Sequence, residues 1–271
     1  MQNPGYNLSD PDNISILPGV LKEISGITQR DDSSIVCIED DNEIIYVYDI
    51  NKNKITRQLT VGGKGDFEGV ARVDKTIYIL RSDGLLSEIK DYESDKYKRK
   101  TYSTGVPWND NEGLCYDRKN NRLLIGPKEI PGKHTENRNT RFIYGFNLES
   151  KKPDREPVFK FDLYIIERFA LENDIEIPLK KKRPGIKFSI SALGIHPITG
   201  RLYVVSAKDN LLFAFTMDGN IEFVAELDPD IFWQPEGITF MKNGDMFISN
   251  EGKRKKQKPP TLIRFNYRPE K

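Results

Sequence analysis

The sequence predicts an all-β fold, a five-bladed β-propeller of four-stranded antiparallel blades, and three observations lead there. One short phrase recurs five times, as Ser25-Gly26-Ile27, Glu68-Gly69-Val70, Glu112-Gly113-Leu114, Leu193-Gly194-Ile195 and Glu236-Gly237-Ile238. Its period is about 43 residues, doubled once between the third and fourth copies, and self-similarity at such a period marks a supersecondary unit repeated around an axis. Each copy opens a series of short strands punctuated by turn residues. The last copy is followed by only three strands, and an N-terminal strand near Tyr6-Asn7-Leu8 is left to complete it. A sheet shared between the two chain ends closes the ring and removes its open edge.

The units read in order. The first is ISGIT, SIVCIED, EIIYVYDI and KITRQLTV; the second is FEGVARV, TIYILRS, LLSEIKDY and KYKRKTYS. The third is NEGLCYD, RLLIGP, RFIYGFNL and PVFKFDL; the fourth is ALGIHP, RLYVVSA, LLFAFTM and IEFVAEL. The fifth is PEGITFM, DMFISNE and TLIRFNY. The doubled interval predicts an insertion at about 163–189 in one domain spanning 1–271. Leu163, Ile166 and Ala170 have helical spacing, and Pro178, Pro184 and Lys180-Lys181-Lys182-Arg183 read as loop. A degenerate blade in that stretch, making six, is the alternative.

Composition agrees with a large all-β domain. The chain has 271 residues, 37% hydrophobic and 31% charged, with a net charge of +1. Such a balance exerts no pull on nucleic acid or anionic membrane. Cys37 and Cys115 lie in apolar strand patterns and read as buried free thiols. No apolar run is long enough to span a bilayer. No signal peptide is visible, and we expect a targeting segment to have been trimmed from ahead of Met1.

Equivalent repeat positions face one point, so Glu68, Glu112 and Glu236 should converge on the axis. Converging carboxylates need a cation, a basic side chain or protons. Ca²⁺, or Mg²⁺, suits all-oxygen ligands, and Ca²⁺ tolerates irregular geometry. Asp40, Asp66, Asp83, Asn111 and Glu251 stand on the same face as additional or supporting groups. Two other readings stand beside the metal. In one, the glutamates merely suit the start of a strand; in the other, they pair with Arg81, Lys128 and Lys208, which close the second strands. The same face receives the long segments 103–111, 127–140, 228–235 and 251–261, with Trp108 and Trp233 among them. Long loops on a rigid scaffold carry function. This makes Arg81, Trp108, Lys128, Lys208 and Trp233 the candidate face for a small molecule or protein partner. His196 reads as a turn residue and His134 as a loop residue.

The runs LPGVLKEISGIT, IEDDNEIIYVYDI and GDFEGVARVDKTIYILRSDGLLSEI, with NEGLCYD, SALGIHPITGRLYVVS and PEGITF, resemble the SdiA-regulated, YjiK-like family of bacterial propellers. The likeness is strongest over residues 17–90. It implies a calcium-associated propeller of the cell envelope or periplasm with no established reaction. A more distant likeness is to gluconolactonase- and phytase-type propellers, which hold an axial divalent metal. Carried over, that likeness makes Glu68, Glu112 and Glu236 the metal ligands. Ser25 and Leu193 depart from the pattern, and no acid–base residue matches. The expectation is a monomeric, envelope-associated, ion-binding propeller; the alternative is a metal-dependent hydrolase of lactones or phosphoesters.

Overall fold

A computed structural model of the protein describes residues 4–128, 138–177, 184–253 and 257–269. Among these residues the strands form five antiparallel sheets, and the chain is a five-bladed β-propeller rather than a six-bladed one. The N-terminal strand β1 (Asn13–Ile16) leads into blade one: β2 (Ile24–Gln29), β3 (Ser34–Glu39), β4 (Asn42–Asp49) and β5 (Lys54–Lys64). Blade two is β6 (Phe67–Val73), β7 (Thr76–Arg81), β8 (Leu85–Lys90) and β9 (Lys98–Ser103). Blade three is β10 (Asn111–Asp117), β11 (Arg122–Pro127) and β12 (Thr140–Asn147), with an outer strand split into β13 (Lys152–Pro153) and β14 (Phe159–Asp162). Both pieces pair with β12 on either side of the segment that holds Pro157, a residue confined to edges because it cannot donate to a ladder. Blade four is β15 (Ala192–Ile195), β16 (Leu202–Ser206), β17 (Leu211–Phe215) and β18 (Ile221–Glu226). Blade five is β19 (Pro235–Phe240), β20 (Met246–Asn250), β21 (Thr261–Phe265) and β1.

The ring closes through the N-terminal strand, but not at the expected residues. The closing strand is Asn13–Ile16, paired Ile14 to Ile263 and Ser15 to Leu262. Asn13-Ile14-Ser15-Ile16 has the alternation and β-branched residues a strand needs, whereas Pro4, Gly5 and Pro11 interrupt the stretch around Tyr6-Asn7-Leu8. Tyr6 instead packs its ring with His196, Tyr203, Phe240 and Tyr267, and its hydroxyl donates to Gly244 O at 2.5 Å. Within 163–189 lies the helix α1 (Leu163–Leu171), capped by the Asp162 side chain, which accepts from Tyr164 N. It buries Leu163, Ile166 and Ala170 against the sheets of blades three and four. The run Pro178 to Arg183 and His134 lie outside the described residues.

The repeated glycine has a packing cause. A Cβ on Gly69 would lie 2.6 Å from Leu114 Cβ and 2.9 Å from Glu112 O of the next blade. A Cβ on Gly113 would lie 2.6 Å from Leu193 Cγ. Gly26 meets Val70, Gly194 meets Phe240 and Gly237 meets Ile27 in the same way, so the contacts run once around the ring. Each innermost strand therefore sits as close to its neighbour as a backbone without a side chain permits. Gly69→Ala should lower unfolding free energy by about 1–3 kcal/mol through overpacking. Urea denaturation checks this, and a midpoint equal to the parent's would contradict it.

Candidate functional site

A backbone irregularity aims the repeated glutamates inward. In blade one the register of β2 and β3 shifts between Ile24 and Gly26; in blade two it shifts between Phe67 and Gly69. Blade three shifts between Asn111 and Gly113, and blade five between Pro235 and Gly237. The residue passed over is Ser25, Glu68, Glu112 or Glu236. A bulge of this kind adds a residue outside the ladder and redirects its side chain. Blade four pairs without a shift through Leu193, so that side chain keeps its place in the sheet and packs on Gly113. Ser191 takes over the polar role there, donating to Pro235 O at 2.9 Å as Ser25 donates to Phe67 O at 2.6 Å.

The result is an axial cavity of about 10 Å³ lined by Glu68, Glu112, Glu236, Ser25, Ser191 and Leu193 together with Gly26, Gly69 and Gly237. That volume admits about one water-sized body. Glu112 is 2% exposed. Its Oε1 accepts from Lys128 Nζ, and its Oε2 is buried with no hydrogen-bond partner. Burial raises all three carboxyls to about 8. Next in effect is Glu112 on Glu68 and Glu236 on Glu112; on Glu236 the largest charge is Lys128, which opposes the rise, ahead of Glu251 and Glu68, which add to it. Burial pulls Lys128 down, but Glu112, Glu236 and Asp110 outweigh it and hold the ammonium above the ordinary lysine range. One lysine thus serves three acids.

The remaining candidates divide into groups. Asp40 stands with Glu23 and Asp41, one oxygen of each within 4.8 Å of the others. Among the described residues this is the one group so close, so the hub trio is wider. Burial, then Glu23, Asp41, Glu251 and Glu39, push Asp40 up to about 7. Glu251 accepts from the Gln234 amide, and its carboxyl is raised by burial and Glu23. Asp66 is exposed beside Glu68. Arg81 and Asp83 form a bidentate pair at 2.9 and 2.6 Å, so Arg81 serves Asp83. Asn111 is fully buried and donates to Ser82 O at 2.9 Å and Trp108 O at 2.8 Å, tying blade three to blade two. Lys208 is exposed in the turn after β16. Trp108 Nε1 donates to Tyr144 OH at 2.8 Å and Trp233 Nε1 to Glu251 O at 2.7 Å; Lys258 Nζ lies 4.8 Å from the Trp233 ring centre. Both tryptophans are half-buried loop anchors. His196 is buried and accepts the Ile198 and Thr199 amides on Nδ1, and Cys37 and Cys115 are buried free thiols. Glu23, Asp41, Glu39 and Ser191 escaped the sequence reading because none occupies the repeated phrase.

The model of the SdiA-regulated family matches residues 168–258. That interval covers blade four and the first two strands of blade five, whereas the likeness read from the residues is strongest near the N-terminus. No curated protein sequence matches the chain. Among solved structures, a glutaminyl cyclase from Myxococcus xanthus is similar at 12% identity and a TM-score of 0.63, with 95% of each chain covered. A streptogramin B lyase aligns at 13% identity and a TM-score of 0.54, covering 94% of this chain and 98% of its own. The WD40 repeats of RRP9 align at 11% identity and a TM-score of 0.52, covering 94% and 99%. At these identities the likeness is one of fold.

The hub charges fix the sign of a pH effect. Each glutamate holds its proton in the fold up to about pH 8 but releases it near 4.5 in the unfolded chain. The folded state binds more protons across that window, so stability is greatest below it and is lost as pH rises through 8. His196, held down to about 4 by burial, slopes the other way only below its ordinary 6.5. In chelator, the melting temperature should therefore fall by at least about 4 °C between pH 6.5 and 8.5, more steeply in Lys128→Met. A flat or rising profile by differential scanning calorimetry would contradict the hub as described.

Proposed function

We propose that this chain is an envelope-associated propeller whose hub binds one hard divalent cation, Ca²⁺ in preference to Mg²⁺. The loop-rich face above the hub is then presented to a small molecule or protein partner. The observation that carries the reading is the Oε2 atom of Glu112, a buried acceptor without a donor at a cavity of about 10 Å³. Three carboxylates against one ammonium leave two negative charges, the charge of one divalent ion. The polar side chains lining the cavity all offer oxygen ligands, which suits a hard cation. Because the trio is wider than the Glu23, Asp40, Asp41 group, binding requires its side chains to draw in. Ca²⁺ accepts such irregular, partly hydrated coordination more readily than Mg²⁺ does.

The hydrolase alternative would need room for a substrate beside the ion. A cavity for about one water supports an ion that ties blades together instead. The envelope assignment rests on the family likeness. No helix of the described residues is long and apolar enough to cross a membrane. Glu112→Gln and Glu236→Gln should each weaken calcium binding at least tenfold by isothermal titration calorimetry and remove the calcium-dependent gain in melting temperature. Unchanged binding at the hub in both variants would refute the site.

A further inference from the structure

Buried carboxylates in this protein come with their own cations. Six are buried among the described residues: Glu39, Glu43, Glu88, Glu112, Asp117 and Asp245. Glu43 pairs with Arg99 at 2.7 Å, Asp117 with Arg122 at 3.0 Å and Asp245 with Arg264 at 2.6 Å. Glu88 pairs with Lys151, and Glu112 with Lys128. Glu39 is the exception. It is 6% exposed, and its Oε1 is buried with no hydrogen-bond partner. A buried carboxyl oxygen without a partner is costly enough that such an exception calls for an explanation, an unseen ligand among them.

The location of Glu39 names the ligand. Its Oε2 accepts the Asp41 amide at 3.2 Å, which folds the carboxyl over the β3–β4 turn. That turn carries Asp40 and Asp41, whose oxygens lie within 4.8 Å of one from Glu23. Asp40 N donates to Glu23 O at 3.1 Å, so the backbone fixes where these side chains start. Asp40 Oδ1 is a second buried oxygen without a partner. The largest charges acting on Asp40 come from Glu23, Asp41, Glu251 and Glu39, four carboxyls. The cluster lies at the seam where the ring closes. Gly252 N, following β20 of blade five, donates to Lys22 O at 2.7 Å, one residue before Glu23.

We propose that Glu23, Asp40 and Asp41, with Glu39 at the head of their turn, form a second cation site, separate from the hub, that takes Ca²⁺ on the blade-one side of its seam with blade five. Oxygen-only donors select a hard cation. Glu23 and Asp40 are partly exposed and Asp41 is exposed, which leaves room for the waters that complete a coordination number of six to eight. The site owes nothing to the repeated phrase and does not depend on the hub reading.

The test is calorimetric titration of the full chain with Ca²⁺ after chelator treatment, on the parent, Asp40→Asn/Asp41→Asn and Glu112→Gln. Binding that weakens at least tenfold in Asp40→Asn/Asp41→Asn and survives in Glu112→Gln supports the seam site. Two sites in the parent, each lost in one variant, support both readings; a parent site lost only in the seam variant supports this one and refutes the hub. An isotherm that Asp40→Asn/Asp41→Asn leaves equal to the parent's overturns the proposal. The seam variant should melt in chelator no lower than the parent, since it sheds like-charge repulsion. If it does not melt cooperatively, Glu23→Gln replaces it and must lose the same site, and an unchanged isotherm in that variant overturns the proposal equally.

Discussion

The close approach of the five innermost strands through a ring of glycines is the constraint on which the rest of the molecule depends. Gly69, Gly113 and Gly237 each meet the next blade where a side chain would collide, and Gly26 and Gly194 where it would be tight. Blades packed at that distance bring their first strands to a common axis. The residue before each glycine then has little freedom, because a register shift turns it out of its ladder in four blades. Steric packing thus gathers Glu68, Glu112 and Glu236, and electrostatics must accommodate the result. Protons, Lys128 and a cation are the available remedies, and the trio's carboxyls stay raised well above the ordinary range beside Lys128, so the lysine alone does not suffice.

The same ring explains which polar residues do structural work beside the acids. Ser25 and Ser191 lace neighbouring blades by donating to Phe67 O and Pro235 O, carbonyls that precede a hub glutamate. Leu193 supplies apolar contact to Gly113 where no bulge exists. Asn111 performs the equivalent stitching from blade three to blade two. The tryptophans and Arg81 are occupied within the molecule, so a partner on this face would meet loops already anchored from beneath.

Much of this was legible in the residues because repetition is. A phrase that recurs at one period exposes the blade count, the inner strands and the glutamates that share a position. The helix at Leu163–Leu171 was visible from the spacing of Leu163, Ile166 and Ala170. The closing strand was misplaced because Tyr6-Asn7-Leu8 looks apolar enough, while Pro4, Gly5 and Pro11 deny it a ladder and Asn13–Ile16 has the better alternation. Lys128 could be placed on the face, but not on Glu112 in preference to its neighbours. The Glu23, Asp40, Asp41 group was only glimpsed through Asp40, since two of its members lie outside any repeat and meet only when β2 and β3 pair. Glu39 lay inside an apolar strand, and burial alone makes it notable.

The account stands most directly on where the acidic side chains point when a hard cation is present. Anomalous diffraction from crystals grown with Ca²⁺ measures this. The account predicts density on the axis, with oxygens of Glu68, Glu112 and Glu236 around it at about 2.3–2.6 Å. A hub whose three carboxyls turn away from the axis, with no anomalous density between them, would contradict it.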